Sequence, residues 1–221
     1  MKPIVFHVEA AGEFRPVELR FASELEVRRL RGWRKTIPAT DAGEFAALAA
    51  KRWFYYTREG ATVASVGELR AAIRRNERAE LAFLLVASAE WARRHKFLAL
   101  AYCRRTWCHH LVLDFLAVRP RLRFANQPVS GIGSGILSML MGLADSLAIE
   151  TMWGEATASS ASFYENVLQV RPVKDLFIVH RDAMREMSQS YFASQKHRLA
   201  TARQAAHIHH HESSRSKKAD R

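Results

Sequence analysis

Apolar and polar positions alternate at the start of the chain. Ile4-Val5-Phe6-His7-Val8 and Val17-Glu18-Leu19-Arg20-Phe21 flank the turn Ala11-Gly12-Glu13, which predicts two short strands. The period then lengthens to that of a helix. Leu25, Val27, Leu30 and Trp33 fall on one face of a helix over 24–35, stopped before Pro38. Thr40-Asp41-Ala42-Gly43-Glu44 reads as a capped start for the next helix, whose apolar face is Phe45, Leu48, Ala49, Trp53 and Tyr56. A further helix starts near Ser65 and runs through Leu69, Ala72 and Ile73 to about Arg78. From Leu81 the texture is that of strands: 81–87, 97–102 and, beginning at His109-His110, the run through Leu111 to Val118. Beyond a glycine-rich stretch, Ile136 to Ala144 is apolar at helical spacing. Residues 148–157 read as a short strand with a polar end, 159–168 as a helix, 176–179 as the heart of a late strand, and Asp182 to about Arg203 as a terminal helix. Strands, helix, strand and helix in this order predict an α/β or α+β domain with a mixed sheet.

Composition narrows the class. Hydrophobic residues make up 48% and charged residues 25%, ordinary values for a soluble globular chain that can bury a full core. The first residues are too short an apolar run for a signal peptide, and no stretch approaches the ~18 apolar residues of a membrane span. A cytoplasmic location without membrane association is expected. Cys103 and Cys108 are too few for a disulfide framework, and their spacing lacks the second pair of a zinc site, so no metal is expected. The formal charge of +12 invites polyanions, but the tail from Lys196 to Arg221 supplies five of those charges and no nucleic-acid-binding signature accompanies the rest. His207, His209, His210 and His211 in that tail read as incidental.

The chemistry concentrates in Pro128-Val129-Ser130-Gly131-Ile132-Gly133-Ser134-Gly135-Ile136-Leu137, between the apolar strand 111–118 and the apolar helix. Strand, glycine-rich turn and helix together hold phosphate, because backbone N–H groups converge at a helix N-terminus carrying about half a positive charge. A Walker loop needs a Gly-Lys-Ser/Thr ending, and this turn has no lysine. A dinucleotide loop needs Gly-x-Gly-x-x-Gly directly after a strand, whereas this turn reads Gly-x-Gly-x-Gly some twelve residues after Val118.

The phrase Leu116-Ala117-Val118-Arg119-Pro120, followed by Arg121-Leu122-Arg123 and then Gly131-Ile132-Gly133-Ser134, resembles the acetyl-CoA loop of the GNAT N-acetyltransferase superfamily. Downstream, Thr157, Ser160, Phe163 and Tyr164 stand at the spacing of that family's Asn-x-x-Ala-x-x-Phe-Tyr. Pro128 stands where the family carries Gln or Arg, and its Gly-Phe after the second helix is absent. The resemblance covers about Leu81 to Val179. It implies a mixed, mostly antiparallel sheet flanked by helices, with a helical N-terminal portion. The chain then divides into 1–80, strands and helices of the same domain; 81–180, the acetyl-CoA-binding core; 181–205, a C-terminal helix; and 206–221, a disordered basic, His-rich tail.

The resemblance also implies an activity: transfer of an acetyl group from acetyl-CoA to an amine by direct attack. Leu116, Ala117 and Val118 would pair with pantetheine, the Val118 amide would polarise the thioester, and amides from Val129, Ser130, Gly131, Ile132, Gly133 and Ser134 would hold the pyrophosphate. Tyr164 would donate to the CoA sulfur, since a phenol of ordinary pKa near ~10 stays protonated. Two carboxylates are candidates for the base. Asp114 lies in an apolar strand, on the face of Leu116 and Val118 by the period of two, where burial would raise its pKa; the alternative is a carboxylate paired with an arginine. Glu155, at the polar end of the next strand, is the other. A basic protein suits an acidic or neutral acceptor better than a polyamine. The rival reading is a GNAT-like binding protein without catalysis, touching nucleic acid through its basic tail.

Overall fold

The computed structural model describes residues 4–36, 41–92, 95 and 97–219, with side chains described for all of these except 36, 203 and 205–219. Its elements run β1 (Ile4–Ala10), β2 (Glu13–Phe21), α1 (Glu24–Leu30), α2 (Trp33–Thr36), α3 (Asp41–Arg58), α4 (Val66–Arg75), β3 (Leu81–Ser88), β4 (Ala99–Arg105), β5 (His110–Val118), β6 (Arg123–Phe124), β7 (Gln127–Ser130), α5 (Ile132–Ser146), β8 (Thr151–Glu155), α6 (Ala161–Leu168), β9 (Leu176–His180) and α7 (Arg181–Ala219). The strands form one nine-stranded sheet in the order β6-β7-β1-β2-β3-β4-β5-β8-β9. Neighbours are antiparallel except β5 and β8, which run parallel because helix α5 carries the chain back between them. The expected mixed, mostly antiparallel sheet with flanking helices and a helical N-terminal portion is therefore the architecture found.

Both faces of the sheet are covered. Leu81, Phe83, Leu85 and Ala87 of β3 join a core with α5, α6 and the start of α7, while Ala82, Leu84 and Val86 pack against α1, α2 and α3. Burial on both sides explains why β3 is an unbroken apolar run. Helix α1 starts at Ser23, where Glu26 returns to the Ser23 amide (2.9 Å) and completes a capping box. The single helix expected over 24–35 is broken at Arg31-Gly32, and α2 follows as a separate turn. On α3, Ala46, Ala49, Ala50 and Trp53 face the core, whereas Leu48 is exposed. The proposed cap at Thr40 lies outside the described residues.

Three departures from expectation bear on the site. Residues between β5 and α5, expected as a plain connection, form the β6–β7 hairpin, and β7 pairs with β1 through Glu9–Ser130 and Ala10–Val129. Helix α5 begins at Ile132 rather than Ile136, so Gly133 and Gly135 are helical and Gly131 alone adopts a left-handed backbone (φ 90°). The tail expected to be disordered from 206 is helical as far as Ala219, since nothing between Arg181 and Ala219 is Gly or Pro and most of its residues are good helix formers.

Candidate active site

Strands β5 and β8 pair over only four residues, His110–Thr151 to Leu113–Gly154. Beyond that point β5 continues to Val118 with β4 on one side, and its other edge is no longer paired to β8. The divergence coincides with a β-bulge. Tyr102 pairs with Phe115 and Cys103 with Leu113, so Asp114 is the extra residue. The bulge corrects the face assigned to Asp114. Leu116 and Val118 pack with the α5–α6 core, but Asp114 reaches the opposite side, where Arg52 of α3 donates to Oδ1 (2.7 Å). From β4, Arg104 adds a bidentate pair, Nε to Oδ2 (2.7 Å) and Nη2 to Oδ1 (2.9 Å). The arginine-paired alternative is thus the observed one. Arg104 also reaches Glu80 (3.2 Å), which accepts from the Tyr56 hydroxyl. Both oxygens of Asp114 are engaged, so the residue ties the bulge to α3 and β4.

The open edge of β5 presents backbone. Arg119 donates its N–H to Leu98 (2.7 Å), on the β4 side. Alternate residues of a strand direct their backbone groups to opposite edges, so the amides and carbonyls of Val118 and Leu116 face the opening, and those of Ala117 face β4. Across the opening lies the first turn of α5. Its amides at Ile132, Gly133 and Ser134 have no acceptor within the helix, the first such bond being Gly135 to Gly131 (3.0 Å). The expected set of phosphate-facing amides is shortened at its start. Val129 donates to Leu122 (3.0 Å) and Ser130 turns toward β1, because both belong to the hairpin. Gly131, Ile132, Gly133 and Ser134 remain.

Helix α6 closes the third side. A Cβ on Gly133 would lie 3.1 Å from Phe163 and 3.6 Å from Val118, so the end of β5, the start of α5 and α6 converge there. Tyr164 is buried (5% exposed) and stacks on Phe177 of β9 at 4.4 Å between ring centroids. Cys103, Leu113, Gly154 and Phe177 are successive partners across four strands, the last rung before the sheet opens, and Tyr164 lies over that rung. Gly154 is required there, since a Cβ would come within 2.6 Å of the Leu113 carbonyl and 2.8 Å of Phe177. A glycine inside a predicted strand signals close approach of a neighbour, and that signal was available in the sequence. Glu155 follows directly, exposed and on the face of Trp153, opposite Tyr164. Arg119, which the sequence did not single out, lies over the Trp33 ring (5.4 Å) on the α2 side.

Burial pushes the Tyr164 phenol up to about 12, with the nearby Cys103 thiol adding to the shift. Tyr191 is also pushed up to about 12 by burial, and Tyr102, fully buried, higher still. Each folded-state pKa lies above the ordinary value near ~10, so the stability these phenols contribute is present below about pH 10 and lost as pH rises through about 12. We expect the melting temperature to fall over that interval as tyrosine absorbance at long wavelength rises, with a shallower fall in Tyr164→Phe. A melting temperature flat to pH 12 would contradict the burial of these groups.

Among the described residues no group of three His, Cys, Asp or Glu side chains is placed to hold a metal, and no helix is long and apolar enough to cross a membrane. The histidines at 207–211 lie outside the residues whose side chains are described. His109 accepts from Arg105 (3.0 Å), a contact that fixes the β4–β5 turn.

No protein-family model matches the sequence, and no curated protein matches it. Solved structures do resemble it. A GNAT family acetyltransferase from Staphylococcus aureus is 10% identical, with 75% of this chain and 99% of that one covered and a TM-score of 0.48. The GNAT family N-acetyltransferase YhbS from Escherichia coli, solved with CoA, is 10% identical over 83% of this chain and 87% of that one, with a TM-score of 0.46. Nourseothricin acetyltransferase is 16% identical over 39% of this chain, with a TM-score of 0.32, and the chain spans about half (48%) of that protein's length. All three likenesses stand at 10–16% identity with TM-scores of 0.32–0.48.

Proposed function

We propose that the chain is an N-acyltransferase that moves an acetyl group from acetyl-CoA to an amine. One observation carries this reading: among the described residues, the edge of β5 that β8 leaves at Leu116–Val118, the first-turn amides of α5 that lack an acceptor within the helix and the buried Tyr164 border the same opening in the sheet. An extended pantetheine arm matches an unpaired strand edge, and a pyrophosphate matches a helix N-terminus. Acetyl-CoA supplies an activated thioester. Attack by a neutral amine on its carbonyl forms the C–N bond and places negative charge on oxygen. Expulsion of the thiolate then breaks the C–S bond. The Val118 amide donates to the carbonyl oxygen, and Tyr164 donates to the departing sulfur. Glu155, on the far face of the opening, is the better candidate to accept the amine proton. Asp114 has both oxygens held by arginine and serves to position the strand.

The test is release of free CoA thiol from acetyl-CoA in the presence of a panel of primary amines, neutral, acidic and polycationic. Amine-dependent release that falls at least about a hundredfold in Tyr164→Phe supports the reading. Binding of acetyl-CoA without release for any amine would overturn the enzymatic part of it.

A further inference from the structure

Arg119 stands at the open end of β5 without a counter-charge. Its backbone N–H is bonded to Leu98 (2.7 Å), which fixes the residue against β4. Past the bulge, Phe115 and Ala117 pack toward α1–α3, whereas Leu116 and Val118 pack toward α5 and α6. The period of two carries this alternation on, so the Arg119 side chain lies on the α1–α3 side, one residue after the Val118 amide. Its guanidinium stands over the buried ring of Trp33.

Three other arginines on that side of the sheet hold carboxylates. Arg20 pairs with Glu26, and Arg52 and Arg104 share Asp114. The Arg119 Nε is buried with no acceptor, and among the described residues no carboxylate pairs with this side chain. Burial therefore pulls its pKa below the ordinary arginine value, whereas Asp114 pushes that of Arg104 up. A ring face offsets part of the hydration a cation loses, and a hydrogen-bonded anion offsets far more.

We infer that Arg119 receives a carboxylate carried by the acceptor, so that the amine acetylated here belongs to a molecule that is also a carboxylic acid, such as an amino acid. The inference rests on the acetyl-transfer reading and names the class of its second substrate. Trp33 covers one face of the guanidinium and leaves an edge, where parallel N–H donors match a planar carboxylate. Sequence position supplies the rest. The residue before Arg119 offers its amide to the thioester carbonyl, so a carboxylate held at 119 keeps an amine of the same molecule beside that carbonyl. A polyamine would meet like charge there.

Acceptor kinetics with amino acids and the matching amino-acid amides, at saturating acetyl-CoA, test it. The wild-type kcat/KM should be about tenfold or more higher for the acids. Arg119→Gln should erase that preference by raising KM for the acids, and Arg119→Lys, which keeps the charge without the fork, should fall between. The melting temperature of Arg119→Gln should equal or exceed that of the wild type, because no unpaired charge is buried; an arginine needed only for folding would show a fall. C-terminally amidated peptides beginning with aspartate or glutamate present the carboxylate from a side chain, and comparison with the free amino acids tells the two sources apart. A wild type that uses neither kind of acid better than its amide, or a preference that survives Arg119→Gln, would overturn the inference and leave the acetyl-transfer reading in place. If no amine is turned over, that reading falls, and calorimetric titration of the same acids into the CoA-bound protein decides the carboxylate seat alone. Binding lost in Arg119→Gln supports the seat, and absence of binding overturns it.

Discussion

Tyr164→Phe is expected to lower kcat by about a hundredfold or more while leaving the affinity for acetyl-CoA within about twofold. The substitution removes one hydroxyl and keeps everything else the ring does. The phenyl group still stacks on Phe177 at 4.4 Å and still meets Phe163 edge-on at 5.1 Å, so the packing over the last paired rung survives. What is lost is a donor kept protonated by burial across the working pH range. Single-turnover release of thiol, read beside equilibrium binding, separates the two effects. A kcat within about threefold of wild type would show that the sulfur leaves without help from this phenol.

Asp114→Ala is expected to destabilise the fold by about 2–3 kcal/mol. Its removal leaves Arg104 (23% exposed) short of two of its acceptors and frees Arg52 from the sheet, and a partly buried cation without its partner is costly. Exposure of Arg52 at 48% keeps the figure below that of a fully buried pair. Because the clamp holds the bulge where β5 leaves β8, acetyl-CoA should also bind more weakly. Asp114→Asn distinguishes clamp from base. A clamp residue replaced by asparagine lowers the melting temperature and keeps most of kcat, while Glu155→Gln lowers kcat with the melting temperature unchanged. If Asp114→Asn instead abolished turnover with no change in melting temperature, Asp114 would be the base.

The parts of this fold that were legible in the sequence are those set by local period. The alternation in β1 and β2, the unbroken apolar run of β3 and the glycine turn before α5 each follow from burial that a strand or helix imposes on its own residues. The bulge at Asp114 was not legible, because it exists only in the register between β4 and β5, and one added residue moves a side chain to the other face. The β6–β7 hairpin was hidden for a different reason. Its tip is Ala125-Asn126 rather than Asn-Gly, so the left-handed turn carries no glycine to announce it. The start of α5 was misplaced because Gly133 and Gly135 read as loop. They are helical, and small because Phe163 and Phe6 come so close: a Cβ at Gly135 would lie 2.3 Å from Phe6. The resemblance alone singled out Tyr164, and its place over the last rung of the sheet depends on Gly154 and Phe177, which lie in two other elements.

The most direct test of the acetyl-CoA site is the melting temperature with and without acetyl-CoA, measured for the wild type and for Ser134→Glu. The glutamate sits in the first turn of α5, where a carboxylate suits the helix and should leave the fold intact, yet it places negative charge where the pyrophosphate would lie. At about a hundred times its dissociation constant the ligand should add about 2.7 kcal/mol and raise the wild-type melting temperature by about 5–10 °C. The account predicts that rise in the wild type and none in Ser134→Glu. An equal rise in both would move the cofactor away from the glycine turn, and no rise in the wild type at millimolar ligand would contradict the account at its root.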